Sequence, residues 1–206
     1  APIMEKYWAW RCGLGWIGRH TQFVIPGEGS AFFLAEVLTT QEADHYDEPQ
    51  THSAPPCQGG RVASPSRKGS LPSREGWGGA LCGKCRRCLA ACPTHAITDE
   101  GMDARLCLSY LTIEHRGTLP DSIAPYLREC FYGCDRCLRA CPHLSRAKAS
   151  TLPDFRPSPA LLSMQPADWA RLSREDYQSL FRGSAVKRAK FEGLCRNIRL
   201  HDAQNE

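Results

Sequence analysis

Apolar residues open the chain at helical spacing. Ile3, Met4, Tyr7, Trp8 and Leu14 lie close to an i, i+4 stripe and Pro2 suits a first turn, which predicts a helix over residues 2–12. Glycines break the pattern in GLGWIGRHT, at Gly13, Gly15 and Gly18. A dinucleotide loop needs a strand before it and a helix after it, and here the order is reversed. Close backbone approach, to the core or to a flat ligand, is the better reading. A short strand is predicted over 22–25, a turn over 27–30, and a buried strand over the apolar run AFFLAEVL at 31–38. So few elements cannot enclose a core, so the first 40 residues read as the tail end of a larger α/β domain.

Pattern then disappears. Residues 41–50 are acidic and loop-like, and 51–79 are rich in Pro, Gly and Ser without periodicity, which reads as a disordered or surface insert. Periodicity returns at residue 80. HAIT at 95–98 suits a short strand, and DARLCLSYLTIE at 103–114 reads as a helix or strand before a turn at Gly117. Residues 160–201 look helical. Ser173 with Asp176 resembles a capping box, Gly183 stops that helix, and Ser184 is placed to cap a last one. Phe191, Leu194 and Ile198 form its apolar stripe, while Lys187, Arg188, Lys190, Arg196 and Arg199 make it basic. Those charges suit a solvated face and equally a contact with an RNA backbone.

The 206 residues carry a net charge of +4, which permits a polyanionic partner without requiring one. No apolar run approaches the roughly 18–20 residues that span a bilayer, and no signal peptide is evident. The twelve cysteines change the picture most. CGKCRRCLAACP sets Cys82, Cys85 and Cys88 three apart, then Cys92 and Pro93; GCDRCLRACP repeats the theme with Cys134, Cys137, Cys141 and Pro142. This is iron–sulfur spacing, in which one tight turn offers three thiolates to a cube and the next cysteine serves a second cube. Structural zinc more often takes separated pairs. A disulfide scaffold belongs to an oxidising compartment, so the clustering favours a reducing cytoplasm.

Two 4Fe–4S clusters need eight thiolates, and the motifs supply seven. By exchange, Cys82, Cys85 and Cys88 take Cys141, while Cys134 and Cys137 take Cys92 and one more. Spacing leaves Cys107 and Cys130 both open for that place. Cys12, Cys57 and Cys195 belong to no motif and read as incidental thiols.

GLGWIGRHT, SAFFLAEVLTT, CGKCRRCLAACPTHAI, DARLCLSYLTIEHRG, FYGCDRCLRACP and FRGSAVKRAKFEGLCRN together resemble the epoxyqueuosine reductases. The resemblance covers most of the chain outside 51–79. It implies an α+β architecture: the C-terminal part of an α/β cobalamin-binding domain (1–50), the insert (51–79), a ferredoxin-like domain with two 4Fe–4S clusters (80–150), and a basic helical tail (151–206). It implies reduction of epoxyqueuosine to queuosine in tRNA, with electrons passing from an external donor through the clusters to cobalamin. It makes Cys107 the eighth ligand, beside Cys92, Cys134 and Cys137. It places cobalamin near Thr21, Gln22, Phe23, Leu34, Ser109, Cys134 and Asp135, and tRNA near Arg116, with Lys187, Arg188 and Lys190 added from the basic tail. A cytoplasmic monomer is expected.

The family's proton-donating aspartate lies upstream of Ala1, so no catalytic residue is assigned and the 206 residues alone are expected to be nearly inactive. The insert is longer than the family's loop, and the C-terminal repeats of longer members are not present. Two rivals remain at this stage. One is a ferredoxin-type module serving another corrinoid enzyme such as a reductive dehalogenase. The other is a non-enzymatic RNA-binding protein with structural clusters.

Overall fold

A computed structural model describes residues 4–42, 82–128 and 130–202. The predicted insert at 51–79, with Cys57, lies outside the described residues. The fold is mixed and mostly helical, in two compact units: Ala1–Met102 with Arg136–Lys148, and Asp103–Asp135 with Ala149–Glu206.

In the first unit, α1 (Glu5–Arg11) has Glu5 in its first turn and Arg11 in its last, each complementing the helix dipole. The chain then forms a two-stranded antiparallel ribbon, β1 (Trp16–Ile17) on β2 (Phe23–Val24), with Trp16 opposite Val24 and Ile17 opposite Phe23. The strand predicted over 22–25 is therefore present, and its partner emerges from the glycine segment. Gly15 is needed there because a Cβ would sit 2.0 Å from the Val24 carbonyl oxygen. Ala9, Ile17 and Phe23 form a small core, with Trp10, Ile25, Phe32 and Leu34 packed against it.

The buried strand predicted over 31–38 is not formed. The segment runs outside any ladder, with Phe32 and Leu34 half-buried while Phe33 is 85% and Val37 90% exposed. An apolar run marks burial rather than pairing, and here only part of it packs against the small core. The strand predicted over 95–98 contracts to one bridge, Ile97 with Met102, although Ala96 and Ile97 are buried. Two single-turn helices, α2 (Arg87–Ala90) and α4 (Arg136–Arg139), complete this unit's motif segments.

In the second unit, Asp103 accepts from the Arg105 N–H and opens a 3-10 turn over Ala104–Leu106. There follows α3 (Leu108–Ile113), so the 103–114 segment resolves as helical. Its Leu108 and Leu111 pack with Leu119, Ile123 and Leu127. The expected helical run at 160–201 is divided by prolines and caps. α5 (Pro159–Ser163) and α6 (Pro166–Ala170) each start on a proline, as the first turn allows. α7 (Arg174–Leu180) is capped as predicted: the Ser173 hydroxyl oxygen accepts from the Asp176 N–H at 3.0 Å.

Ser184 caps a 3-10 turn, Ala185–Ala189, rather than the final helix. The final helix, α8 (Lys190–Asp202), starts at Lys190, which turns the chain at φ 62°. Leu194 and Ile198 on α8 pack with Leu172, Tyr177 and Phe181, so the predicted stripe is this unit's second core.

Candidate metal centre

The first cysteine motif folds as a tight turn running into α2. The Cys85 N–H donates to the Cys82 carbonyl at 3.0 Å, with Gly83 at φ 52° between them. The turn gathers its thiols, and Cys141, at the end of α4, joins them in the same unit. Burial pushes the Cys82 thiol up, the N–H and guanidinium of Arg19 pull it down, and Cys141 and Cys85 are near enough to push it up again. Burial likewise raises Cys88, with Cys82 and Cys85 adding to it. The described cysteines are free of disulfides. Among the described residues no three His, Cys, Asp or Glu side chains converge as a single metal ion would require. A 4Fe–4S cube asks for a wider setting, with each thiolate on its own iron, and Cys82, Cys85, Cys88 and Cys141 fit that donor set.

The second motif is held from inside its own unit. Gly133, at φ 74°, donates its N–H to the Thr112 hydroxyl at 3.0 Å, and Cys134 packs against the α3 core. Cys107 sits half-buried at the N-cap of α3. Cys130 is exposed, and its thiol donates to the Tyr132 carbonyl at 2.9 Å.

A model of the 4Fe-4S double cluster binding domain matches residues 81–143. The chain is 34% identical over 96% of its length to the epoxyqueuosine reductase of Cellulophaga algicola, and 33% identical over 96% to that of Escherichia coli K12. In sequence the chain is similar to the epoxyqueuosine reductases. It spans about half the length of these relatives, 56% of the first and 45% of the second. A solved epoxyqueuosine reductase superposes on 99% of the chain with a TM-score of 0.74 at 23% identity, covering 47% of that structure. The Bacillus subtilis enzyme covers 97% of the chain with a TM-score of 0.71 at 24% identity, over 46% of its own length. These likenesses establish a shared fold.

The residues that membership of the epoxyqueuosine reductase family would assign to cobalamin divide between the units. Thr21, Gln22, Phe23 and Leu34 lie in the first, at and just beyond the ribbon. Thr21 takes a positive φ of 63°, its carbonyl accepts from the Lys6 ammonium at 2.9 Å, and its hydroxyl reaches the Met102 sulfur at 3.7 Å. Phe23 belongs to the small core and is only 3% exposed. Ser109, Cys134 and Asp135 lie in the second unit, Ser109 on α3 and Asp135 exposed beside Cys134.

The expected tRNA residues of the epoxyqueuosine reductase reading have different neighbours. The Arg116 guanidinium donates to the Ile113 carbonyl at 2.9 Å and the Arg188 carbonyl at 2.8 Å, and so fastens α3 to the turn before α8. Arg188 itself pairs with Glu114. Arg196, counted as part of the basic face, donates to the carbonyls of Leu111, His115 and Gly117. Lys187 is half-buried and Lys190 exposed. Sequence reasoning missed Arg19, Thr112 and Asn197. Each is an ordinary polar residue whose partners lie many positions away, and no local signal marks it.

Proposed function

We propose that this chain serves the reduction of epoxyqueuosine to queuosine at the wobble position of a tRNA anticodon. The observation that carries the reading is the gathering of the Cys82, Cys85, Cys88 and Cys141 thiols in one unit of a chain 34% identical to a curated epoxyqueuosine reductase. One solved relative was crystallised with an epoxyqueuosine-modified tRNA stem loop, which supports tRNA as this chain's partner. The relatives named above are all epoxyqueuosine reductases, which disfavours service to a different corrinoid enzyme.

In this reading, residues 1–50 contribute to a cobalamin-binding α/β layer, 80–150 hold two clusters, and 151–206 form a basic helical tail. The first cluster takes Cys82, Cys85, Cys88 and Cys141. The second takes Cys92, Cys107, Cys134 and Cys137; the half-burial of Cys107 and the inward turn of the Cys130 thiol onto its own loop support that choice. When bound, the clusters would supply single electrons from an external donor at low potential, and cobalamin the carbon–oxygen bond chemistry.

The ribbon segment suits a large polar cofactor. Trp16 Nε1, His20 Nε2 and Ser30 Oγ are buried without a hydrogen-bond partner among the described residues, and all fall within fifteen residues of chain. Buried polar atoms are nearly always paired, so such a group of orphans marks a surface made to meet another group. The task of Thr21, Gln22, Phe23 and Leu34 is to shape and orient that contact. Lys187, Arg188 and Lys190 would meet phosphates.

Reconstituted without oxygen, the chain is expected to carry about eight irons, to shift the visible spectrum of added cob(II)alamin, and to retain an epoxyqueuosine-modified stem loop in a salt-sensitive way. A colourless, iron-free protein would sink the proposal.

A further inference from the structure

We propose that Arg19 is a positioning residue for the first cluster: its guanidinium fastens the turn that carries Cys82, and its charge raises that cluster's reduction potential. The inference rests on the reading of Cys82, Cys85, Cys88 and Cys141 as cluster ligands.

Arg19 follows β1 in the hairpin, 64 positions before the turn it holds. Its Nη2 donates to the Gly83 carbonyl at 2.8 Å, and its Nη1 donates to Asp99 Oδ1 at 2.8 Å. Gly83 directly follows Cys82 and takes a positive φ of 52°. A side chain with a rigid fork of donors is suited to pinning such a turn. The Arg19 side chain is only 19% exposed, so its charge is poorly screened.

That charge is also only partly neutralised. Asp99 is shared, its other oxygen being 2.9 Å from Arg86, so two guanidinium groups face one carboxylate. The Arg19 Nε is buried with no protein acceptor among the described residues. A buried cationic N–H without an acceptor is what a site for an anionic group presents.

The consequence for redox chemistry follows from charge. A 4Fe–4S cluster with four thiolates is anionic and becomes more so on reduction. A nearby fixed cation and N–H donors stabilise the reduced form more than the oxidised one. Arg19 also stands two residues before Thr21, where the proposed cobalamin contact begins. One side chain thus ties that segment to the cluster turn.

The test is a potentiometric titration of the anaerobically reconstituted chain, followed by electron paramagnetic resonance, with the first cluster's signal identified by its loss in Cys88→Ser. Arg19→Gln is expected to move that signal's midpoint to a more negative potential and leave the other signal in place. Arg19→Lys, which keeps the charge, is expected to stay nearer the unaltered protein. Asp99→Asn removes the opposing charge and is expected to move the same midpoint upward; this arm decides the matter if Arg19→Gln fails to fold or to take up iron. Full iron content with both midpoints unchanged in Arg19→Gln, or an unmoved midpoint in Asp99→Asn when Arg19→Gln cannot be loaded, would overturn the proposal while leaving the ligand assignment intact. Absence of iron from the unaltered chain would instead overturn the ligand assignment.

Discussion

The side-chain amide of Asn197 donates to the carbonyl of Phe131 at 2.9 Å. Its second N–H donates to the Thr112 carbonyl at 2.8 Å, and its oxygen accepts from Arg196. Thr112 continues the chain of bonds, donating from its hydroxyl to the Leu108 carbonyl at 2.7 Å and accepting from Gly133. Asn197 and Thr112 are both fully buried. A helix that the sequence recommends as a grip for RNA therefore also holds the loop that leads into Cys134. Asn197→Leu leaves two carbonyls buried without donors, at about 1–3 kcal/mol each. The apparent thermal midpoint should drop clearly, and one cluster should be lost faster in air while the other persists. Unchanged melting and cluster lifetime would remove Asn197 from this role.

A second expectation concerns Gly15. A Cβ there would meet the Val24 carbonyl oxygen at 2.0 Å and its carbon at 3.0 Å, and backbone cannot step aside as a flexible side chain can. Gly15→Ala should cost about 1–3 kcal/mol or more, as overpacking does. Gly27→Ala has open space around it, and its cost should come only from the positive φ of 80°. Melting curves that rank the two the other way would contradict the ribbon geometry.

His20 gives the first unit a pH dependence. Burial, then the charge of His143, hold its imidazole below the ordinary value; a backbone hydrogen bond opposes them and Lys6 adds to them. In the unfolded chain the group titrates near about 6.5. Below that pH the unfolded state binds more protons, so the contribution of His20 is complete above it and is lost as pH falls through the lowered folded value. Thermal midpoints measured from pH 8 to pH 5 should fall more steeply for the unaltered chain than for His20→Gln. Parallel slopes would rule His20 out as the titrating group.

The eighth cluster ligand is open to direct measurement. Cys107→Ser should reduce the reconstituted iron content from about eight to about four per chain, with loss of one of two resonance signals. Cys130→Ser should leave both in place. The opposite pattern would exchange their roles.

For the basic tail, the structure separates two kinds of arginine and lysine. Arg116 and Arg196 spend their donors on backbone carbonyls, so Arg116→Gln and Arg196→Gln should lower the melting temperature. Lys187→Gln with Lys190→Gln should leave melting nearly unchanged. That pair should weaken stem-loop binding and lower the slope of log K against log salt by up to about 2. An unaltered salt slope would mean that these lysines do not meet phosphate.

The helix at the start, the Ser173 cap and the apolar stripe of α8 were legible in the sequence because their determinants are local. A cap needs a hydroxyl three residues from an N–H, and a stripe needs only a period. The segment at 31–38 misled because a run of apolar side chains does not by itself specify a neighbouring strand. Ser184 misled in a related way. It caps a turn where a helix was expected, since helix and 3-10 turn begin with the same bond.

By itself the sequence determined the chemistry of the centre. Cysteine spacing selects an iron–sulfur donor set without reference to anything distant, because three ligands within one turn of chain must share a site. Tertiary structure alone decided what supports that centre: Arg19 on the Cys82 turn, and Thr112 with Asn197 behind Gly133. Those partners lie 21 to 85 positions apart. A hydrogen bond across such a separation exists only once the packing of intervening elements has brought donor and acceptor within about 3 Å.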